Sequence, residues 1–157
     1  MSQVSLRFHQ RKTKIESLLR QAKSVESDEL QNELARYICI RISGLIETTV
    51  RGCYVEYVKS RCTPDVAQYV GQQLKRFQNP DMDKLVDLAR GFNERWSSEL
   101  EDIDSEIKEA VISIVATRNS VAHGGDQGIR LITVEGYYHQ VIRLLLMIQN
   151  QCKISEN

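Results

Sequence analysis

The sequence lacks any run of about 18 apolar residues, so no transmembrane helix is expected. Prolines number only two in 157 residues and no tract is of low complexity, which argues against a disordered chain. Cys39, Cys53, Cys62 and Cys152 stand too far apart to form a CxxC pair. Three histidines, His9, His123 and His139, build no zinc-ligand spacing. No metal and no cofactor is therefore expected, and the four thiols read as reduced, mostly core filler of a cytoplasmic protein. Met1 to Arg20 carries scattered Arg and Lys without an apolar core segment, so no secretory signal is visible. Neither charge sign dominates: 21 Lys and Arg face 21 Asp and Glu. That balance excludes a globally basic nucleic-acid coat and an acidic tail, so a polyanion must be met by a local patch.

What is present is an ordinary globular composition, 41% apolar and 27% charged, in a length that fits one domain over residues 1–157. No stretch alternates with period two and no Asn-Gly or Asp-Gly hairpin turn occurs, so the expected class is all-α. The architecture expected is an up-and-down bundle of about four to six helices.

A first helix over roughly 5–25 has a sparse stripe of Leu6, Ile15, Leu18, Leu19 and Ala22. Arg7, Arg11, Lys12, Lys14, Arg20 and Lys23 make it the most basic segment, and these read as a solvated face in preference to an RNA-binding patch. The second helix, roughly 28–59, spreads apolar residues from Leu30, Leu34 and Tyr37 to Val55 and Val58 around much of its circumference, as befits a central helix. Close packing of a neighbour would account for Gly44 and Gly52 within it. Thr63-Pro64-Asp65 and Asn79-Pro80-Asp81 each read as a helix start, with a bend expected near Gly91 before Trp96 and Leu100. Asp104 or Ser105 opens a helix with the stripe Ile107, Ala110, Val111, Ile114, Val121 and Ala122, ended by Gly124-Gly125. After a loop to Leu131, Thr133 is the expected cap of a last helix. Val134, Tyr138, Val141, Leu145 and Ile148 form its core stripe, widened by Ile142 and Leu146.

One residue breaks the pattern. Arg118 lies seven positions after Val111 and four after Ile114, in the middle of an apolar stripe. A guanidinium there must be paired or must open onto a cleft or a subunit contact. Asn119 and His123, four apart, share one flank of the same helix. Such a group suits phosphodiester chemistry. Arg clamps a phosphate with a permanent charge, His moves a proton near neutral pH, and Asn orients the imidazole or holds an oxygen. RNA brings its own nucleophile, the 2′-hydroxyl, so no metal is needed. With one suitable imidazole per chain, a two-fold dimer would complete the acid–base pair. The spacing alone also fits a helix-end His interacting with the dipole and an Arg held in an ordinary ion pair.

The run Arg118-Asn119-Ser120-Val121-Ala122-His123-Gly124, closing one helix before Thr133-Val134-Glu135 opens another, resembles the signature of the HEPN superfamily of small helical ribonucleases. Glu47, in Ile46-Glu47-Thr48, falls where many members carry an acidic residue. The layout is most similar to the branch associated with phage defence and RNA repair. The resemblance implies a dimerising bundle that cuts RNA without metal, with Arg118 on the phosphate and His123 as base or acid. Asn119 would be the accessory polar group and Glu47 an orienting carboxylate. It equally covers members that serve as non-catalytic dimerisation or nucleotide- and RNA-binding modules, and toxins held by an antitoxin or a defence-system partner protein. Elsewhere, Ser43, Arg51 and Tyr54 fall near the Glu47 side of the second helix, and read as a polar seam between helices in preference to a cleft lining. Tyr137-Tyr138-His139 offers rings that could stack on bases, but Tyr138 fits the core stripe and His139 the surface. Gly124-Gly125-Asp126-Gln127-Gly128 ends a helix instead of opening one, so it is no phosphate cradle.

Overall fold

The structure, a computed structural model, describes residues 2–125 and 128–154. Among these it has seven helices and no strand. They are α1 (Gln3–Lys23), α2 (Asp28–Arg61), α3 (Pro64–Leu74), α4 (Met82–Phe92), α5 (Glu94–Glu101), α6 (Ser105–Ala122) and α7 (Leu131–Gln151). Asp126 and Gln127, part of the expected loop after α6, lie outside the described residues.

The class is as expected and the count exceeds four to six because the chain breaks at Asn93, not by a bend at Gly91. Asn93 is extended (φ −164°), closes α4, and accepts the Arg95 N–H on its side-chain oxygen at 2.9 Å to start α5. Two other starts also differ. Asp81 caps α4 by accepting the Lys84 N–H at 2.8 Å, so Asn79 (φ 49°) and Pro80 lie ahead of the helix. For α7 the cap is Arg130, and Thr133 sits inside the first turn. Leu131 is buried in the common core, and its burial draws the helix start three residues earlier than the hydroxyl signal does.

Four long helices form an up-and-down bundle, and their pairing contacts fix the directions. The Gln31 amide donates to Ala22 O at 3.1 Å, while a Cβ on Gly52 would meet the Val4 side chain at 3.3 Å, so α1 and α2 are antiparallel. Lys23 pairs with Glu135 at 2.5 Å and Tyr138 with Glu16 at 2.7 Å, setting α7 antiparallel to α1. Arg143 pairs with Asp104 at 2.6 Å, setting α6 antiparallel to α7. One end of the bundle therefore gathers the finish of α1 and α6 with the start of α2 and α7. The short helices α3, α4 and α5 connect α2 to α6 at the other end. There Tyr54 meets Phe92 and Trp96 edge-on at 4.8 and 5.9 Å between ring centroids. Tyr57 meets Trp96 at 5.0 Å, and Gln151 at the end of α7 donates to Trp96 O at 3.3 Å.

Residues from all seven helices share one buried cluster. α2 is its axis, burying Ala35, Ile38, Ile42, Leu45, Ile46, Val50 and Val58 on several sides, each large aliphatic contributing roughly 1.5–3 kcal/mol. The expected α7 stripe, Val134, Tyr138, Val141, Leu145 and Ile148, is buried throughout. Leu6, Leu30, Tyr37 and Leu146 are exposed instead of joining their stripes. Gly52 makes the close approach expected of it. Gly44 does not, since a Cβ there would meet nothing within 4 Å. Among the described residues no helix is long and apolar enough to cross a membrane.

Candidate active site

The buried stripe of α6 runs through Ile107, Ala110, Val111 and Ile114 to Val115 and stops there. Val121 is only half-buried and Ala122 is exposed, contrary to the expected stripe, because Tyr37 and Ile40 of the neighbouring α2 are themselves at the surface. Arg118 follows one turn after Ile114, half-buried, at the point where core gives way to surface. Its Nη1 donates to the side-chain oxygen of Asn119 at 3.3 Å, and no carboxylate pairs with it among the described residues. Of the two outcomes its position allowed, paired or opening outward, the guanidinium opens outward.

His123 is the residue that caps the C-terminus of α6. Its backbone N–H donates to Asn119 O at 3.1 Å, and its imidazole is exposed, with no side-chain hydrogen bond or ion pair among the described residues. Gly124 turns the chain with φ 74°, its N–H reaching Val121 O at 3.1 Å, and the Gly125 N–H reaches Ser120 O at 2.7 Å. This pair of bonds is the Schellman closure of a helix, for which a glycine in the left-handed region is best suited. Gly125 is also constrained by space, since a Cβ would lie 2.3 Å from Ser120 Oγ and 2.9 Å from Ser120 O. Asn119 accepts from the Arg118 guanidinium on its side-chain oxygen, and its backbone carbonyl accepts the His123 backbone N–H in the helical ladder.

Beside this end lies a groove of about 580 Å³ formed by Tyr37 and Ile40 of α2 with Val121, Gly124 and Gly125. The Glu33–Arg36 ion pair borders it. Sequence patterning missed this surface because it placed Tyr37 in the buried set. The signal was present: Glu33, Tyr37, Gly44, Thr48 and Arg51 recur on one polar face of α2.

Glu47 is elsewhere. Cys39 stands opposite Thr117, so the last turns of α6 lie against the first part of α2. Glu47 is eight residues further on, roughly 12 Å along the axis and away from His123. One carboxylate oxygen accepts from Arg51 at 2.7 Å and the other from the Asn79 N–H at 3.1 Å, while Arg51 also donates to Phe77 O at 2.7 Å. The structure therefore brings Arg118, Asn119 and His123 together and leaves Glu47 in the seam between α2 and the α3–α4 connection. Arg51 belongs to that seam as expected, and Ser43 and Tyr54 are buried.

Other reactive groups are spoken for. Burial pushes the Cys39 and Cys152 thiols up to about 12 and Cys53 higher still, so none is a ready thiolate. Cys62 alone is exposed. Tyr138 donates to Glu16, and burial followed by that bond raises its pKa, so it is a structural hydroxyl and no stacking platform. His139 is exposed, as expected. Among the described residues no three of His, Cys, Asp and Glu gather in a metal-ligand arrangement.

Comparison with protein-family models matches residues 6–153 to the family described as RiboL-PSP-HEPN. No curated protein and no solved structure matches the chain.

Proposed function

The chain belongs to the RiboL-PSP-HEPN family, and from that premise we propose that it is a metal-independent RNA endonuclease of the toxin or antiphage-defence type, working as a cytoplasmic homodimer. The observation that carries this reading is the outward-opening Arg118, whose guanidinium donates to the Asn119 side chain, with the exposed His123 imidazole at the end of the same helix. In the step that these groups suit, a base takes the 2′-hydroxyl proton and the 2′-oxygen attacks the adjacent phosphorus. The bond from phosphorus to the 5′-oxygen breaks, and an acid delivers a proton to that leaving oxygen. The products are a 2′,3′-cyclic phosphate and a 5′-hydroxyl. Arg118 stabilises the added negative charge, with a planar fork of donors that matches two phosphate oxygens. His123 serves as base or acid, and Asn119 as the accessory polar group that holds the Arg118 guanidinium.

One chain offers one imidazole at this place, while the step needs two proton transfers. A second copy related by a two-fold axis would supply the other. The exposed Ile40 beside the half-buried Val121 offers apolar surface that such a copy would cover. An antitoxin or a defence-system protein would be the partner that holds such an enzyme silent.

The test is cleavage of a mixed cellular RNA pool in EDTA by wild type and His123→Ala, both first verified as folded dimers. The expected result is cutting by wild type alone, with cyclic phosphate ends. If neither cuts, autonomous catalysis is overturned in favour of a non-catalytic dimerisation or nucleotide- and RNA-binding module. If both cut equally, His123 is not the proton carrier.

A further inference from the structure

The basic residues of α1 are not all a solvated face. Arg7 and Arg11, four apart on α1, line a cavity of about 320 Å³ together with Thr48, Thr49 and Arg51 of α2. Arg11 is half-buried, and burial, then the nearby charges of Arg7 and Arg41, hold its pKa below that of a free guanidinium. These groups are crowded without counter-ions. Arg51 is answered by Glu47, but Arg7, Arg11 and Arg41 pair with no carboxylate among the described residues. Two further donors nearby, the Thr49 hydroxyl and Arg51 Nε, are buried with no acceptor among them. Like charges gathered this way cost stability unless an anion offsets them. A chain of zero formal net charge has here concentrated positive charge on one seam.

The seam leads somewhere. Arg51, Thr48, Gly44, Arg41 and Tyr37 fall within roughly 80° of arc on α2, and the absent side chain at Gly44 leaves the floor between Arg41 and Thr48 open. Arg41 donates to the Tyr37 hydroxyl at 3.4 Å, and Tyr37 then lines the groove at the end of α6. From Arg51 to Tyr37 the strip is about 21 Å long. It ends beside Val121 and Gly124, at the helix end that carries Arg118 and His123.

We infer that this strip is the track for single-stranded RNA, with Arg7, Arg11 and Arg41 on consecutive backbone phosphates and the Tyr37 ring stacking on a base at the entrance to the site. The inference rests on the ribonuclease reading and adds to it where the substrate lies outside the cleaved bond. Charge complementarity selects a polyanion, and an exposed aromatic ring at the site end of an arginine row selects one with bases.

The test is binding, not cleavage, and so it stays readable if catalysis fails. Full-length His123→Ala is titrated into a labelled single-stranded RNA, and anisotropy is followed over a range of salt. Adding Arg7→Ala and Arg11→Ala is expected to weaken binding about tenfold near physiological salt, and to flatten the log–log salt slope by about 1.4, or 0.7 per lost phosphate contact. Arg11→Lys, which keeps the charge, is expected to retain most of the affinity. Arg90→Ala with Arg95→Ala removes as much charge from α4 and α5 and is expected to change little. Equal losses from the two double variants would overturn the track, as would an unchanged slope in the first. A nucleoside triphosphate that competes at the affinity of the RNA, through the same arginines, would overturn it in favour of a free-nucleotide site. Absence of any RNA binding would overturn it outright, whereas binding without cleavage leaves the track standing and removes the nuclease.

Discussion

Glu47 accepts the backbone N–H of Asn79 at 3.1 Å across 32 positions of sequence, pinning a residue whose φ of 49° lies in the left-handed region. The bond secures the turn that ends α3 and aims Pro80 and Asp81 at the start of α4. A carboxylate with this duty is part of the scaffold. Glu47→Ala should lose about 1–3 kcal/mol in urea unfolding, the range for a hydrogen bond to a charged, partly buried group. RNA cleavage per folded molecule should stay within a few-fold of wild type. A hundredfold fall in Glu47→Gln with unchanged stability would instead put Glu47 in the reacting site.

At Arg118 the shape of the charge should matter as well as its sign. Arg118→Lys keeps one positive charge and gives up the planar fork and the bond to Asn119, so cleavage should drop by about 1.4 kcal/mol of transition-state stabilisation or more, that is tenfold or beyond. Arg118→Ala should fall by about 10²–10³. Both should unfold within about 0.5 kcal/mol of wild type, since the guanidinium pairs with no acid among the described residues. Initial rates and unfolding curves on the same preparations decide this.

The glycine closure of α6 sets where His123 points. Gly124→Ala forces a side chain into φ 74° and should cost about 1–2 kcal/mol. Gly125→Ala must displace the Ser120 carbonyl as well as its hydroxyl, because the carbonyl stands 2.9 Å from the new carbon. Both variants should cut RNA more slowly than their stability loss explains, as the end of the helix frays around the imidazole. A normal rate from either would mean that the closure does not position His123.

Acid should weaken the α1–α7 seam. The Tyr138 bond, ahead of Lys12, holds the Glu16 carboxyl below its ordinary value. A folded pKa depressed below the unfolded one stabilises above the unfolded value, and that contribution is lost as pH falls through the folded one. Tyr138→Phe should therefore cost about 1 kcal/mol near neutral pH, at the low end because Glu16 still meets solvent. The difference from wild type should shrink below about pH 4. Urea midpoints at both pH values measure it, and a constant difference would deny the linkage.

Much of this was legible in the residues. The four-three spacing from Val134 to Ile148 describes the buried face of α7, and the run from Arg118 to His123 stands where a helix ends, as its trailing glycines foretell. What escaped depends on neighbours. Periodicity cannot say that α2 leaves Tyr37 uncovered where α6 runs out, or that Leu131 outweighs Thr133 as a helix start. It places Arg7 and Arg11 on a polar face but not beside Arg41 and Arg51, whose approach exists only once α1 folds back on α2. Glu47 shows the reverse: its residue type suits a catalytic role, and its partners 4 and 32 positions away give it another.

The ring cluster at the far end has a practical use. Trp96 is the only tryptophan, and it sits between Tyr54 and Tyr57, tied to the end of α7, some 30 Å of helix from the start of α7 beside His123. Its emission is therefore an intrinsic optical gauge of the α2–α5 junction, silent to events confined to the last turn of α6. Fluorescence that shifts in step with loss of the cleaving end would mean the whole bundle had opened, and fluorescence that holds steady would mark a local change. The molecule thus carries its own control for separating a disabled site from a melted fold.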